Sequence, residues 1–65
     1  MRITLNDQPR TFDTAPTVQA LVDEVVGHSK GVAVAVNGKV VPTSRWGTSL
    51  ADADTVDILT AVQGG

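Results

Sequence analysis

Two glycines close this chain, where Thr60-Ala61 is followed by Val62-Gln63-Gly64-Gly65. Neither glycine adds a side chain, so such a segment can extend into a channel too narrow for larger residues. The α-carboxylate of Gly65 is then the least encumbered reactive group in the sequence. Near neutral pH a terminal carboxylate is ionised, and in that form it is a poor acyl donor. Acyl chemistry there requires a second enzyme that forms an acyl-adenylate with ATP. The competing reading is a frayed terminus. Spacing alone leaves both open.

The other chemistry-bearing residues promise less. His28 is the single histidine and follows Gly27 in a loop, with no orienting partner legible for acid–base work. Asp52, Asp54 and Asp57 superficially suggest a cation site. They lack the twelve-residue pattern and terminal Glu of a calcium loop, and such residues commonly cap turns. The sequence has no cysteine, which excludes disulfides, thiolate metal sites and a cysteine nucleophile. No glycine-rich loop precedes a helix, so phosphate cradling has no motif. Arg2, Arg10, Lys30, Lys39 and Arg45 are scattered rather than gathered in a stripe. With a net charge of -2, nucleic acid is not the expected partner. Side-chain catalysis is not expected, nor is a bound cofactor or metal.

Sixty-five residues, 42% of them hydrophobic, suit one small domain spanning 1–65 with an aliphatic core. No run reaches membrane-spanning length and no apolar signal segment opens the chain, so a soluble cytoplasmic protein is expected. Arg2-Ile3-Thr4-Leu5-Asn6 alternates as a strand with Ile3 and Leu5 inward. Asp7-Gln8-Pro9 breaks it, and Arg10-Thr11-Phe12-Asp13 resumes it with Phe12 inward. Thr17 is a suitable N-cap for a helix of about 8 to 10 residues. Val18, Leu21, Val22 and Val25 form its apolar stripe, and Gly27 is its expected C-cap. Val32-Ala33-Val34-Ala35-Val36 is apolar on both faces, which predicts a central strand. Asn37-Gly38 is a strong hairpin signal before Lys39-Val40-Val41, and Pro42 ends that strand. A short helical turn is predicted around Ser44-Arg45-Trp46, with the indole partly in the core. Thr55–Thr60 is the closing strand, with Val56 and Ile58 inward. The order β-β-α-β-β-(turn)-β predicts an α+β fold: a mixed sheet of about five strands against one main helix, with the first and last strands parallel at its centre. That is a small ubiquitin-like β-grasp, with residues 62–65 expected as a flexible C-terminal tail.

Across its whole length the chain resembles the ThiS family of sulfur carrier proteins of thiamine biosynthesis, relatives of ubiquitin and of the MoaD molybdopterin carriers. The resemblance rests on Ile3-Thr4-Leu5-Asn6, on Thr17-Val18 with Leu21, and on Val34-Ala35-Val36-Asn37-Gly38-Lys39-Val40-Val41-Pro42. Trp46 and the ending Ala61-Val62-Gln63-Gly64-Gly65 complete it. One departure is Asp52-Ala53-Asp54, where the family usually has Asp-Gly-Asp; a left-handed backbone at Ala53 would cost about 1 kcal/mol. The resemblance implies that an E1-like adenylyltransferase (ThiF-like or MoeB-like) uses ATP to adenylate the Gly65 carboxylate. Sulfur from a cysteine-derived persulfide, or from sulfide, then displaces AMP to leave a thiocarboxylate. The thiocarboxylate gives its sulfur to a ThiG-like thiazole synthase. The chain itself would be a protein cosubstrate and not an enzyme.

In that reading Gly65 is the modified residue, while Gly64, Gln63 and Val62 set tail access. Leu59 alternates away from Val56 and Ile58 onto the open face of the sheet. With Val62 and Val41 it is a candidate docking patch, core packing being the alternative for Leu59. Rival readings are a sulfur carrier for molybdopterin or another sulfur-containing metabolite, a ubiquitin-like protein modifier, and a β-grasp binding module whose tail is inert.

Overall fold

The computed structural model describes residues 1–61; the expected tail, residues 62–65, lies outside the described residues. The first hairpin joins β1 (Arg2–Leu5) to β2 (Gln8–Thr11) through Asn6 and Asp7, whose φ values are 49° and 66°. Positive φ at both loop positions matches the right-handed twist of the flanking strands. The turn is tighter than the sequence suggested, because asparagine and aspartate occupy the left-handed region without a glycine to announce it. Strand β2 therefore starts at Gln8, not Arg10, and Phe12 lies just beyond it, half-buried against the core. Pro9 pairs with Thr4 from the sheet's edge, where its missing N–H deprives no neighbouring strand.

Helix α1 spans Val18–Val25. Three of its early N–H groups, which have no partner inside a helix, are satisfied from nearby. Thr17 Oγ1 accepts from the Ala20 N–H at 3.0 Å, the Thr48 carbonyl from Val18 and the Trp46 carbonyl from Gln19. At the other end the C-cap is Val26, one residue before the predicted Gly27, which follows it in the left-handed region at φ +86°. Val18, Leu21 and Val22 are buried, but Val25 is 42% exposed, and Val26 packs against the core in its stead. An exposed ion pair, Arg10 to Glu24 at 3.1 Å, links β2 to the helix and adds little stability in water.

The second hairpin pairs β3 (Val32–Val36) with β4 (Lys39–Val41) across Asn37-Gly38, with φ of 51° and 84°. A single 3₁₀ turn, Thr43–Arg45, delivers Trp46 into the core at 2% exposure. Strand β5 (Thr55–Thr60) enters between the hairpins, parallel to β1 and antiparallel to β3. The sheet order is β2-β1-β5-β3-β4, the β-grasp arrangement with one helix across one face. In β3 only Val34 is buried and Ala33 is exposed on the sheet's uncovered face, while the strand itself lies inside the sheet, between β5 and β4, as its composition predicts. Ile3, Leu5, Val56, Ile58, Trp46 and Leu50 complete the core with the helix residues.

Ala53 has φ +71°, in the turn that feeds β5, and its N–H donates to the Arg2 carbonyl at 2.7 Å. A Cβ in the left-handed region costs about 1–2 kcal/mol, and glycine's freer unfolded chain returns about 0.4–1 kcal/mol of that gain. Ala53→Gly is therefore expected to raise stability by about 0.5–1 kcal/mol, read as a higher urea midpoint at unchanged m-value. A lower midpoint would contradict the strain.

Candidate functional site

The last described residue, Ala61, follows directly from β5, so the geometry of that strand fixes where the terminal segment begins. Both hairpins hold β5 through an asparagine in their turns. The Asn6 backbone turns away after Leu5, but its side-chain amide continues the pairing: Oδ1 accepts from the Ile58 N–H at 2.8 Å and Nδ2 donates to the Ile58 carbonyl at 3.3 Å. A carboxamide thus replaces the peptide group that the turn removed from the ladder. At the opposite end of β5, Asn37 Oδ1 accepts from the Thr55 N–H and its Nδ2 donates to Asp54 Oδ1, both at 2.9 Å. One further bond, Ala61 N–H to the Gly31 carbonyl at 2.7 Å, carries the β3–β5 pairing past the strand end. Gly31 stands at φ +70°, and a Cβ there would meet the Ala61 Cβ at 3.5 Å, an ordinary contact. The backbone conformation, not space, is what calls for glycine there.

Around Ala61 the surface is hollowed on two sides. His28, Lys30 and Gly31 line one hollow with Ala61; Val25, Val26 and Thr60, with Asn6 and His28, line the other. Sequence alone gave the 27–31 loop no role. The signal that finds it is register: Val32 pairs with Thr60, which sets the residues just before Val32 against those just after Thr60.

Of the expected site residues, Gly65, Gly64, Gln63 and Val62 lie outside the described residues. Leu59 is on the open face at 69% exposure, opposite Ala33. The structure does not bring Val41 to it. Val41 pairs with Val34, faces the helix side and packs against the core. The β4 residue that shares Leu59's face is Val40, opposite Ala35 and 78% exposed.

The acidic turn is occupied by the fold. Asp52 Oδ1 accepts from the Arg2 N–H and Asp54 Oδ2 from the Ala51 N–H, both at 2.8 Å. Among the described residues no three His, Asp or Glu side chains are grouped to hold a metal ion, and no helix is long and apolar enough to cross a membrane.

Comparison with known proteins agrees with this architecture over the full chain. A crystal structure of the thiamine biosynthesis protein ThiS from Geobacter metallireducens superposes with a TM-score of 0.80 at 32% identity, covering all of both chains. A solution structure of a thiamine biosynthesis protein from the same organism gives 0.75 at 30% identity, covering all of this chain and 88% of that one. The sulfur carrier protein ThiS of Escherichia coli K12 is 29% identical over the full length of both chains. A thiazole synthase of Paramagnetospirillum magneticum is 33% identical to all of this chain, which spans only 20% of that longer protein. The ThiS family model matches residues 3–65, from the first inward residue of β1 through both terminal glycines. By that match, and by the β-grasp sheet that carries it, the chain belongs to the ThiS family.

Proposed function

We propose that this chain is a sulfur carrier of thiamine biosynthesis, with the carboxylate of Gly65 as the carrying group. The observation that carries the reading is that the family match runs to Gly65 and so includes the ending that has no obstructing side chain. An adenylyltransferase joins the carboxylate to the AMP moiety of ATP and releases pyrophosphate. Sulfide sulfur, free or drawn from a persulfide with a thiol to break its S–S bond, then attacks the acyl carbon and AMP leaves. The resulting thiocarboxylate is a softer nucleophile than the carboxylate it replaces, and it gives its sulfur to thiazole synthase in the cytoplasm. A segment similar to this chain inside a protein named thiazole synthase supports that partner. ATP is consumed by the activating enzyme and no cofactor resides on the carrier. Gly64, Gln63 and Val62 give the partner access to Gly65.

Intact mass of the protein from its own host, with and without a thiocarboxylate-trapping alkylator, tests this. A trappable sulfur on Gly65 is expected, and thiazole synthase supplied with its sulfur-accepting substrate should discharge it. A chain shortened at its C-terminus is the control, because oxidation of Met1 adds nearly the mass of an oxygen-to-sulfur exchange. No trapped species in sulfur-replete cells that contain the adenylating enzyme would overturn the reading.

A further inference from the structure

The helical phase of Val25 points it toward the sheet with Val18, Leu21 and Val22, yet it remains 42% exposed. The cause is its position. At that end of the helix Val25 borders an open hollow that Ile58, Thr60 and Ala61 also line. Lys30 and His28 stand in the adjoining hollow, also against Ala61. No acidic residue lines either hollow among the described residues, although the chain as a whole carries a net charge of -2. The start of the terminal segment is thus bordered by one lysine with no acidic residue lining the same hollow, and by one valine left partly exposed.

Chain length turns this border into an interface. Four residues follow Ala61, and fully extended they reach at most about 14 Å. An enzyme that acts on the Gly65 carboxylate must bring its active-site mouth within that distance of Ala61. The wall around the mouth then faces the residues that surround Ala61.

Resting on the proposed function, we infer that Val25, His28 and Lys30 form a docking collar for the enzyme that adenylates Gly65. The matching wall on that enzyme presents a carboxylate to Lys30 and an apolar contact to Val25. Rim charges act mainly on association and its salt dependence, whereas the acyl transfer itself occurs at the far end of the tail. The collar therefore governs KM for the carrier more than kcat.

ATP–pyrophosphate exchange by the host's adenylating enzyme, with the full-length chain as substrate, tests the collar. Lys30→Glu is expected to raise KM about tenfold with kcat within about twofold, and to lose the rise of KM with salt shown by the unaltered chain. Val25→Gln should raise KM several-fold, and thermal melts should show both variants folded. Lys39→Glu makes the same charge change on β4, beside Val36 at the other end of β3, and should leave KM unchanged. Equal KM for Lys30→Glu and the unaltered chain would overturn the collar while leaving the carrier reading intact. An equal rise in Lys30→Glu and Lys39→Glu would also overturn it, as an effect of net charge. If the unaltered chain supports no exchange, the proposed function itself fails.

Discussion

Replacing Gly64 with alanine is expected to cut kcat/KM for adenylation about a hundredfold while leaving Tm unchanged. Among the described residues the buried core runs from Ile3 to Ile58, and a single methyl added four residues beyond the last strand is not expected to disturb it. On the proposed function its effect belongs to the encounter with the activating enzyme, whose channel is expected to admit only a segment without side chains. A single added methyl either clashes with that channel or shifts the carboxylate from its line of attack on ATP. A displacement of about 1 Å at a reacting centre is enough for roughly a hundredfold loss. Gly64→Val should lose more than Gly64→Ala, because a steric limit steepens with side-chain volume. Exchange kinetics on the three chains measure the series, with melting curves alongside. Equal rates for glycine and alanine would remove the argument for a narrow channel.

Trp46→Ala is expected to cost about 3–5 kcal/mol, the usual range for truncating a large buried aromatic. A domain of this size has only about 3–10 kcal/mol of stability in total, so much of the variant population should be unfolded near physiological temperature. Trp46 is the largest fully buried side chain, and its indole Nε1–H donates to the Val41 carbonyl at 3.0 Å. Its backbone carbonyl also accepts from Gln19 in the first turn of the helix. One residue therefore joins the irregular segment after β4 to the strand before it and to the helix. Trp46→Phe separates the contributions: it keeps most of the ring packing and leaves the Val41 carbonyl short of a donor, for a loss of about 1–3 kcal/mol. Urea unfolding followed by circular dichroism measures both. A loss under about 1 kcal/mol for Trp46→Ala would show that the indole is not part of the cooperative core.

Alternation and turn chemistry made the sheet legible. Val56 and Ile58 point inward, Leu59 outward, and Asn37-Gly38 forms the second hairpin, as the sequence predicts. What stayed hidden depends on partners distant in sequence. Asn6 reads as the end of a strand, and only the arrival of Ile58, 52 positions later, gives its amide something to bond. Val25 has the right helical phase for burial, but phase does not reveal where the sheet beneath a helix ends. The face of Val41 was recoverable in principle. A two-residue turn at Asn37-Gly38 pairs Val36 with Lys39, and so sets Val41 opposite Val34. Leu50, buried at 5% exposure, lies outside any strand or helix, so no period could place it in the core.

The central position of β5 also decides how the protein answers a mechanical pull. An enzyme that grips residues beyond Ala61 and draws along the strand axis stresses the ladders to β1 and β3 together. Hydrogen bonds in such ladders lie across the strands, so a tug along the axis shears them as a set. A tail leaving an edge strand can instead be peeled away one pair at a time. The amide bonds of Asn6 to Ile58 and of Asn37 to Thr55 resist the same sliding near either end of the strand. A carrier that is seized, charged, discharged and seized again can thus be handled by its end without unravelling from it.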